Sequence, residues 1–220
     1  MRSFLLSGFL LIALCAIRTA HADTLDQSNT VVNGGELGVE LNSAYFFDAQ
    51  TFTDGITGDL TRIQLELLSQ PQHGEMGDIS PFSIGVQIRG VSNGIPTADV
   101  LSSVVLPPGN YLLGTFIDFS QPAFVIAGHQ YAISVNYIGA PPLGPDSGQG
   151  ELQGNLFNAY SGGSTFGSVD GSSWFSLETD GDIFFQTYVE PTPEPGVILL
   201  LCAGGALVLL AKFRAVGSHH

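Results

Sequence analysis

Three stretches of this 220-residue chain place apolar residues at every second position. Ile63, Leu65 and Leu67 alternate with Arg62, Gln64 and Glu66. Ile84, Val86 and Ile88 alternate with Gly85, Gln87 and Arg89. Tyr131, Ile133, Val135 and Tyr137 alternate with Ala132, Ser134 and Asn136. A side-chain period of two puts one set of residues on a buried face and the other on a wet one, as in antiparallel sheets. A helix would need a 3.6-residue period over about ten positions. Between the two chain ends no segment offers one.

Further β-rich runs are read at Ala44 to Thr53, Asp99 to Leu106, Gly114 to Phe119, Ala123 to Ile126 and Asp182 to Val189. Turn chemistry separates them: Asp54-Gly55, Asn93-Gly94, Pro107-Pro-Gly-Asn110, Gly128 and Gly181. Such dipeptides close tight corners because Gly and Asn accept positive φ at little cost. Gly139 to Gly154, with three prolines and five glycines, reads as a long loop. Short strands with glycine-rich corners predict an all-β chain, an antiparallel β-sandwich of jelly-roll type.

The two ends follow a different logic. Arg2 precedes an apolar run from Phe4 to Ile17, and Ala20-His21-Ala22 gives a small-x-small cleavage site. That order is a secretory signal peptide over residues 1–22, with Ala20 and Ala22 as its cleavage determinants and signal peptidase as the implied partner. A retained N-terminal anchor would want a longer apolar run. A lipidated Cys15 would want a small residue before it, where Leu14 stands. At the other end Pro193-Glu194-Pro195 precedes the apolar residues 197–211, and Lys212 and Arg214 follow. Two prolines keep the backbone extended ahead of the apolar segment, which is read as a transmembrane helix. The cations hold its far end in the cytoplasm. Residues 23–190 then form the sandwich domain, residues 191–214 the C-terminal segment, and residues 215–220 a short tail that is native or left over from cloning.

Charge excludes one class of partner. Of the 20 Asp and Glu only Glu194 lies outside the domain, which leaves 19 acids against Arg62 and Arg89, a net charge near minus 17 without one lysine. Such a surface repels phosphate, so nucleic acid is not a partner. Both cysteines, Cys15 and Cys202, fall in the end segments. The domain therefore has neither disulfide nor thiolate metal site, and its core must carry its stability alone.

The Pro193-Glu194-Pro195 tripeptide, the apolar segment and the basic pair Lys212 and Arg214 together resemble the PEP-CTERM sorting signal of Gram-negative bacteria. That resemblance implies an exported protein, held transiently in the inner membrane and then processed by an exosortase-type membrane protease. The domain is similar to the extracellular β-sandwich domains called choice-of-anchor domains. This likeness rests on residues 49–53, 83–90, 94–96, 124–133 and 160–163, on Trp174 and on residues 182–185. It implies a cell-surface or extracellular-matrix role, with extracellular polysaccharide as a possible partner, and brings no catalytic residues.

Chemistry is sparse. His73 and His129 lie in turn-like sequence without a motif around either, and no Gly-x-Ser-x-Gly elbow occurs in the domain. Glu66 and Asp118 lie on strand faces, where an acid is most simply a solvated side chain; a glycosidase would need two carboxyls about 5 to 10 Å apart. The domain is therefore read as non-catalytic, with no required cofactor. Asp170-Gly-Ser-Ser-Trp174 and Asp180-Gly-Asp182 could aim oxygens at calcium, or could simply close turns. Trp174, the single tryptophan, is the candidate for stacking on a sugar in the alternative reading, a carbohydrate-binding module; the competing role is packing between sheets. Phe46-Phe47 and Phe184-Phe185 put aromatics on both faces of their strands, one of each pair toward the core and the other either covered by loops or partly exposed.

Overall fold

Every regular element of the described residues is a β-strand, as the alternation requires. The computed structural model describes residues 22–30, 36–40, 47–69, 83–109, 111, 114–138, 150–155, 160–177 and 181–192. Both expected terminal helices lie outside them. The strands are β1 (Thr24–Asn29), β2 (Glu36–Glu40), β3 (Phe47–Thr53), β4 (Gly58–Leu65), β5 (Leu67–Ser69), β6 (Ser83–Ser92) and β7 (Ile95–Leu106). They continue with β8 (Thr115–Val125), β9 (Gln130–Ile138), β10 (Gly150–Asn155), β11 (Thr165–Ser168), β12 (Trp174–Ser176), β13 (Asp182–Ile183) and β14 (Phe185–Pro191). All pairings among them are antiparallel.

A four-stranded sheet has the order β1-β14-β4-β8, and a six-stranded sheet the order β12-β11-β3-β9-β6-β7. A smaller sheet runs β13-β10-β2, with β5 also on β10. Setting aside that small sheet and the β11–β12 hairpin leaves eight strands. Counted in chain order, one large sheet reads first, eighth, third, sixth, and the other second, seventh, fourth, fifth. Only one of the seven steps along these eight strands, β6 to β7, is a hairpin within a sheet; the other six change sheets.

Both large sheets feed one core. Leu60, Ile63 and Leu65 of β4, Ile117 and Val125 of β8 and Phe185 and Val189 of β14 meet Phe52 of β3, Ile84, Val86 and Ile88 of β6 and Ile133 and Val135 of β9. The Phe52 and Phe185 rings, one from each sheet, lie 5.9 Å apart. Burying each such side chain contributes about 1.5–3 kcal/mol, so this shared layer is the main stabilising contribution in a domain without cross-links. Residues Asp23–Pro191 form one compact unit.

Local chemistry sets the corners. The β6–β7 hairpin turns through Asn93 (φ 52°) and Gly94 (φ 79°), the two positive-φ positions of a type I′ turn, whose twist suits the flanking strands. Two expectations are revised. Residues 115–125 form one strand rather than two, because Pro122 sits on β8 at the edge of its sheet, where no ladder donor is lost. Gly150–Asn155, read as the end of a loop, is β10: its Leu152 is fully buried, and the strand pairs with both β2 and β5.

Candidate binding face

The register of the four-stranded sheet aligns its outward side chains in rows across the strands. One row runs Phe116, Gln64, Gln186, Ser28, from β8 through β4 and β14 to β1. The next, two positions along on β8, β4 and β14 and three along on β1, where the register shifts, runs Asp118, Arg62, Tyr188, Leu25. Inward neighbours such as Ile63, Ile117 and Val189 are core, so period two forces these residues out. Phe116 is 53% exposed. Its ring lies 5.9 Å from that of Tyr188, and the Arg62 guanidinium sits 5.5 Å over it.

The polar groups of the face are tied in place. The Tyr188 hydroxyl donates to Gln186 Oε1 at 2.7 Å, and Gln64 Nε2 donates to the Gly114 carbonyl at 3.1 Å. Arg62 Nε donates to Asp118 Oδ1 at 2.5 Å, so the two charges of these rows cancel each other. Asp118 raises the Arg62 pKa further above its already high value. A cavity of about 230 Å³ opens where Gln64 and Gln186 meet Glu66 and Thr30, with Phe185 beneath. A third row is acidic instead: Phe124 faces Asp59, which faces Glu190.

Trp174 stands elsewhere, on β12 at the edge of the six-stranded sheet, and it is half-buried. Its ring lies 5.4 Å from the Arg89 guanidinium, and Phe47 covers the same cation at 5.6 Å. The two rings meet edge to face at 6.3 Å. Arg89 is only 4% exposed. It donates to Ser134 Oγ (2.9 Å), the Gly171 carbonyl (2.8 Å), the Thr97 carbonyl (3.2 Å) and Gln87 Oε1 (2.5 Å). Burial lowers its pKa. One face of the indole is thereby committed to holding the Asp170–Trp174 loop on the sheet.

In the turns considered for calcium, Asp170 and Asp182 accept hydrogen bonds from N–H donors. Asp170 Oδ1 accepts from the Ser172 and Ser173 amides at 2.8 and 2.7 Å, and these hold its carboxyl well below the usual range. Buried Asp182 accepts from the Tyr160 amide at 2.8 Å and from Gln50 Nε2 at 3.1 Å. Asp180 lies outside the described residues. Among the described residues no group of three or more His, Cys, Asp or Glu could hold a metal.

His129 is exposed at the β8–β9 turn, where its carbonyl takes the Asp54 amide at 3.0 Å. Phe184 and Phe185 are both buried, at 5% and 1% exposure, and Phe185 belongs to the core layer. Glu66 lines the cavity, and Asp118 is engaged by Arg62. The residues Ala20, Pro193, Glu194, Pro195, Lys212 and Arg214, and also Phe46 and His73, lie outside the described residues. Ala22, which is described, is exposed.

The alternation did not flag one pair of acids. Asp54, in the β3–β4 turn, is 1% exposed, and neither of its carboxyl oxygens receives a hydrogen bond from an N–H. It faces Asp26 of β1, whose oxygens take the Gly55 amide at 3.0 and 3.1 Å. Burial first, then a hydrogen bond and repulsion from Asp26, push the Asp54 carboxyl up to about 8. At neutral pH the Asp54 carboxyl therefore keeps its proton.

No protein-family model and no curated protein matches this chain.

Proposed function

We propose that this chain is an exported, non-catalytic jelly-roll protein. Its C-terminal segment sends it through an exosortase-type protease to the cell surface or the extracellular matrix. The observation that carries this reading is the pairing of the first and last strands. Thr24 of β1 lies opposite Val189 of β14, so the domain's first and last strands are neighbours in one sheet. Cleavage after Ala22 and near Pro193 removes both ends without taking a strand from the sandwich. Each end thus acts as a disposable address, and the domain between them needs neither for its core.

The strand order supports the jelly-roll assignment, because first-eighth-third-sixth facing second-seventh-fourth-fifth is what two Greek keys wound into a roll produce. The lysine-free acidic surface suits a protein that must stay soluble outside the cell. A second reading, a carbohydrate-binding module, is favoured by the paired rings and amides of the outer face. In the native host, replacing Pro193, Glu194 and Pro195 together by Ala should leave an unprocessed, membrane-bound form. Cell fractionation that found the variant released like the natural chain would overturn the sorting role.

A further inference from the structure

We infer that the outer face of the four-stranded sheet binds a neutral, extended polysaccharide chain, with Phe116 and Tyr188 as its stacking rings. The inference rests on the carbohydrate-binding reading and moves it from Trp174 to a different sheet. Three observations converge. Two aromatic rings 5.9 Å apart lie on the outward side of the sheet, Tyr188 on the interior strand β14 and Phe116 on the edge strand β8, and Phe116 is more than half exposed. Exposing a ring costs apolar burial, and a pyranose offers the matching surface: a flat array of C–H groups bounded by hydroxyls. Directly beside the rings stand the amides of Gln64 and Gln186 and the hydroxyl of Ser28. These groups offer donors and acceptors without charge, as sugar hydroxyls require.

The electrostatics select the class of chain. The domain carries a net charge near minus 17, since it holds 19 of the 20 acids and only Arg62 and Arg89 as cations, so a uronate-rich or sulfated polymer is repelled. Within the two central rows the only charges are Arg62 and Asp118, and they neutralise each other. The strip is thus a neutral, aromatic band on an acidic body. Its rows step from strand to strand about 4.8 Å at a time, a geometry that suits an extended β-linked chain better than a helical one. The cavity bounded by Gln64, Glu66, Thr30 and Gln186 continues the band at one end. At about 230 Å³ it is below the roughly 300 Å³ at which drug-sized sites begin, and it suits a single ring of the chain.

Affinity electrophoresis of the full-length chain in gels containing hydroxyethylcellulose or alginate tests this. Retardation by hydroxyethylcellulose and none by alginate is expected. Phe116→Ala and Tyr188→Ala should each weaken the retardation about tenfold, the loss of one stacked ring, whereas Phe175→Ala on the other sheet should leave it unchanged. Circular dichroism establishes that each variant is folded. No retardation by hydroxyethylcellulose, equal retardation by alginate, or undiminished retardation in a folded Phe116→Ala/Tyr188→Ala chain would each overturn the inference. None of these outcomes bears on the processing of the ends, which is read separately by fractionation.

Discussion

Asp54 gives the domain a pH dependence that its composition hides. Its carboxyl has a folded pKa near 8, against 3.8 for an ordinary aspartate. A raised pKa means that the folded state holds its proton more tightly than the unfolded chain. The associated stability is complete below pH 3.8, declines as the unfolded chain ionises, and is gone once pH passes about 8. Asp26 is the facing carboxylate, and Tyr160, whose phenol burial pushes up to about 12, is the other titratable group beside them. Asp54→Asn donates an amide N–H to Asp26 at every pH. Thermal unfolding at pH 5, 7 and 9 should show the natural chain losing stability with rising pH and the variant staying nearly flat. Parallel curves would remove Asp54 from the account.

Arg89 is the second residue with an outsized role. Its guanidinium fills the space between Phe47 and Trp174 and satisfies two carbonyls. Arg89→Met keeps much of the volume but leaves those carbonyls unpaired, at roughly 1–3 kcal/mol for each buried group. Urea unfolding should therefore show a loss of several kcal/mol, and Trp174 emission should shift as its stacking partner disappears. A midpoint and emission identical to the natural chain would contradict the clamp.

Among the elements, corners and close approaches can be told apart by mutation. Gly94 needs positive φ, but a Cβ there would meet open space; Gly94→Ala should cost about 1–2 kcal/mol. Gly163 is different: a Cβ there would lie 1.8 Å from the Thr51 carbonyl oxygen, so the loop before β11 must leave β3. Gly163→Ala should destabilise by at least 3 kcal/mol, an estimate in line with overpacking at the severe end. Denaturant melts of the two variants side by side check the order.

The strands that were legible in the sequence are those that alternate in polarity. On β4 the alternation separates a core side from a wet outer side. On β6 and β9 the expected wet positions Gly85, Arg89, Ala132 and Ser134 are buried as well, with Arg89 bonded to Ser134 and to the Gly171 carbonyl. Asn93-Gly94 announces its hairpin through backbone chemistry alone. β10 was read as loop because its sequence, Gly150-Glu-Leu-Gln-Gly-Asn155, has a single apolar residue, and pairing with β2 and β5 supplies what periodicity does not. β1 hides for a similar reason: Thr24-Leu-Asp-Gln-Ser-Asn29 is polar, and its place is fixed by β14, some 160 positions away. The outer aromatic face was hidden in plain alternation. Phe116 and Tyr188 stand in the outward phase of their strands, but only the register brings them together.

At the scale of the whole molecule, the fold explains how such different ends can belong to one chain. On the proposed reading, an all-β body whose first and last strands are neighbours is exported and then trimmed outside its described strands. Its stability comes from the shared layer between two sheets, so the removal of residues 1–22 and 193–220 should leave its unfolding midpoint within error of the uncut protein. The most direct measurement is the intact mass of the chain recovered from the surface or medium of its native host. A mass matching a start at Asp23 and an end close to Pro193, without Lys212 and Arg214, is what the account predicts; a recovered surface form that still carries residues 197–214 would contradict it.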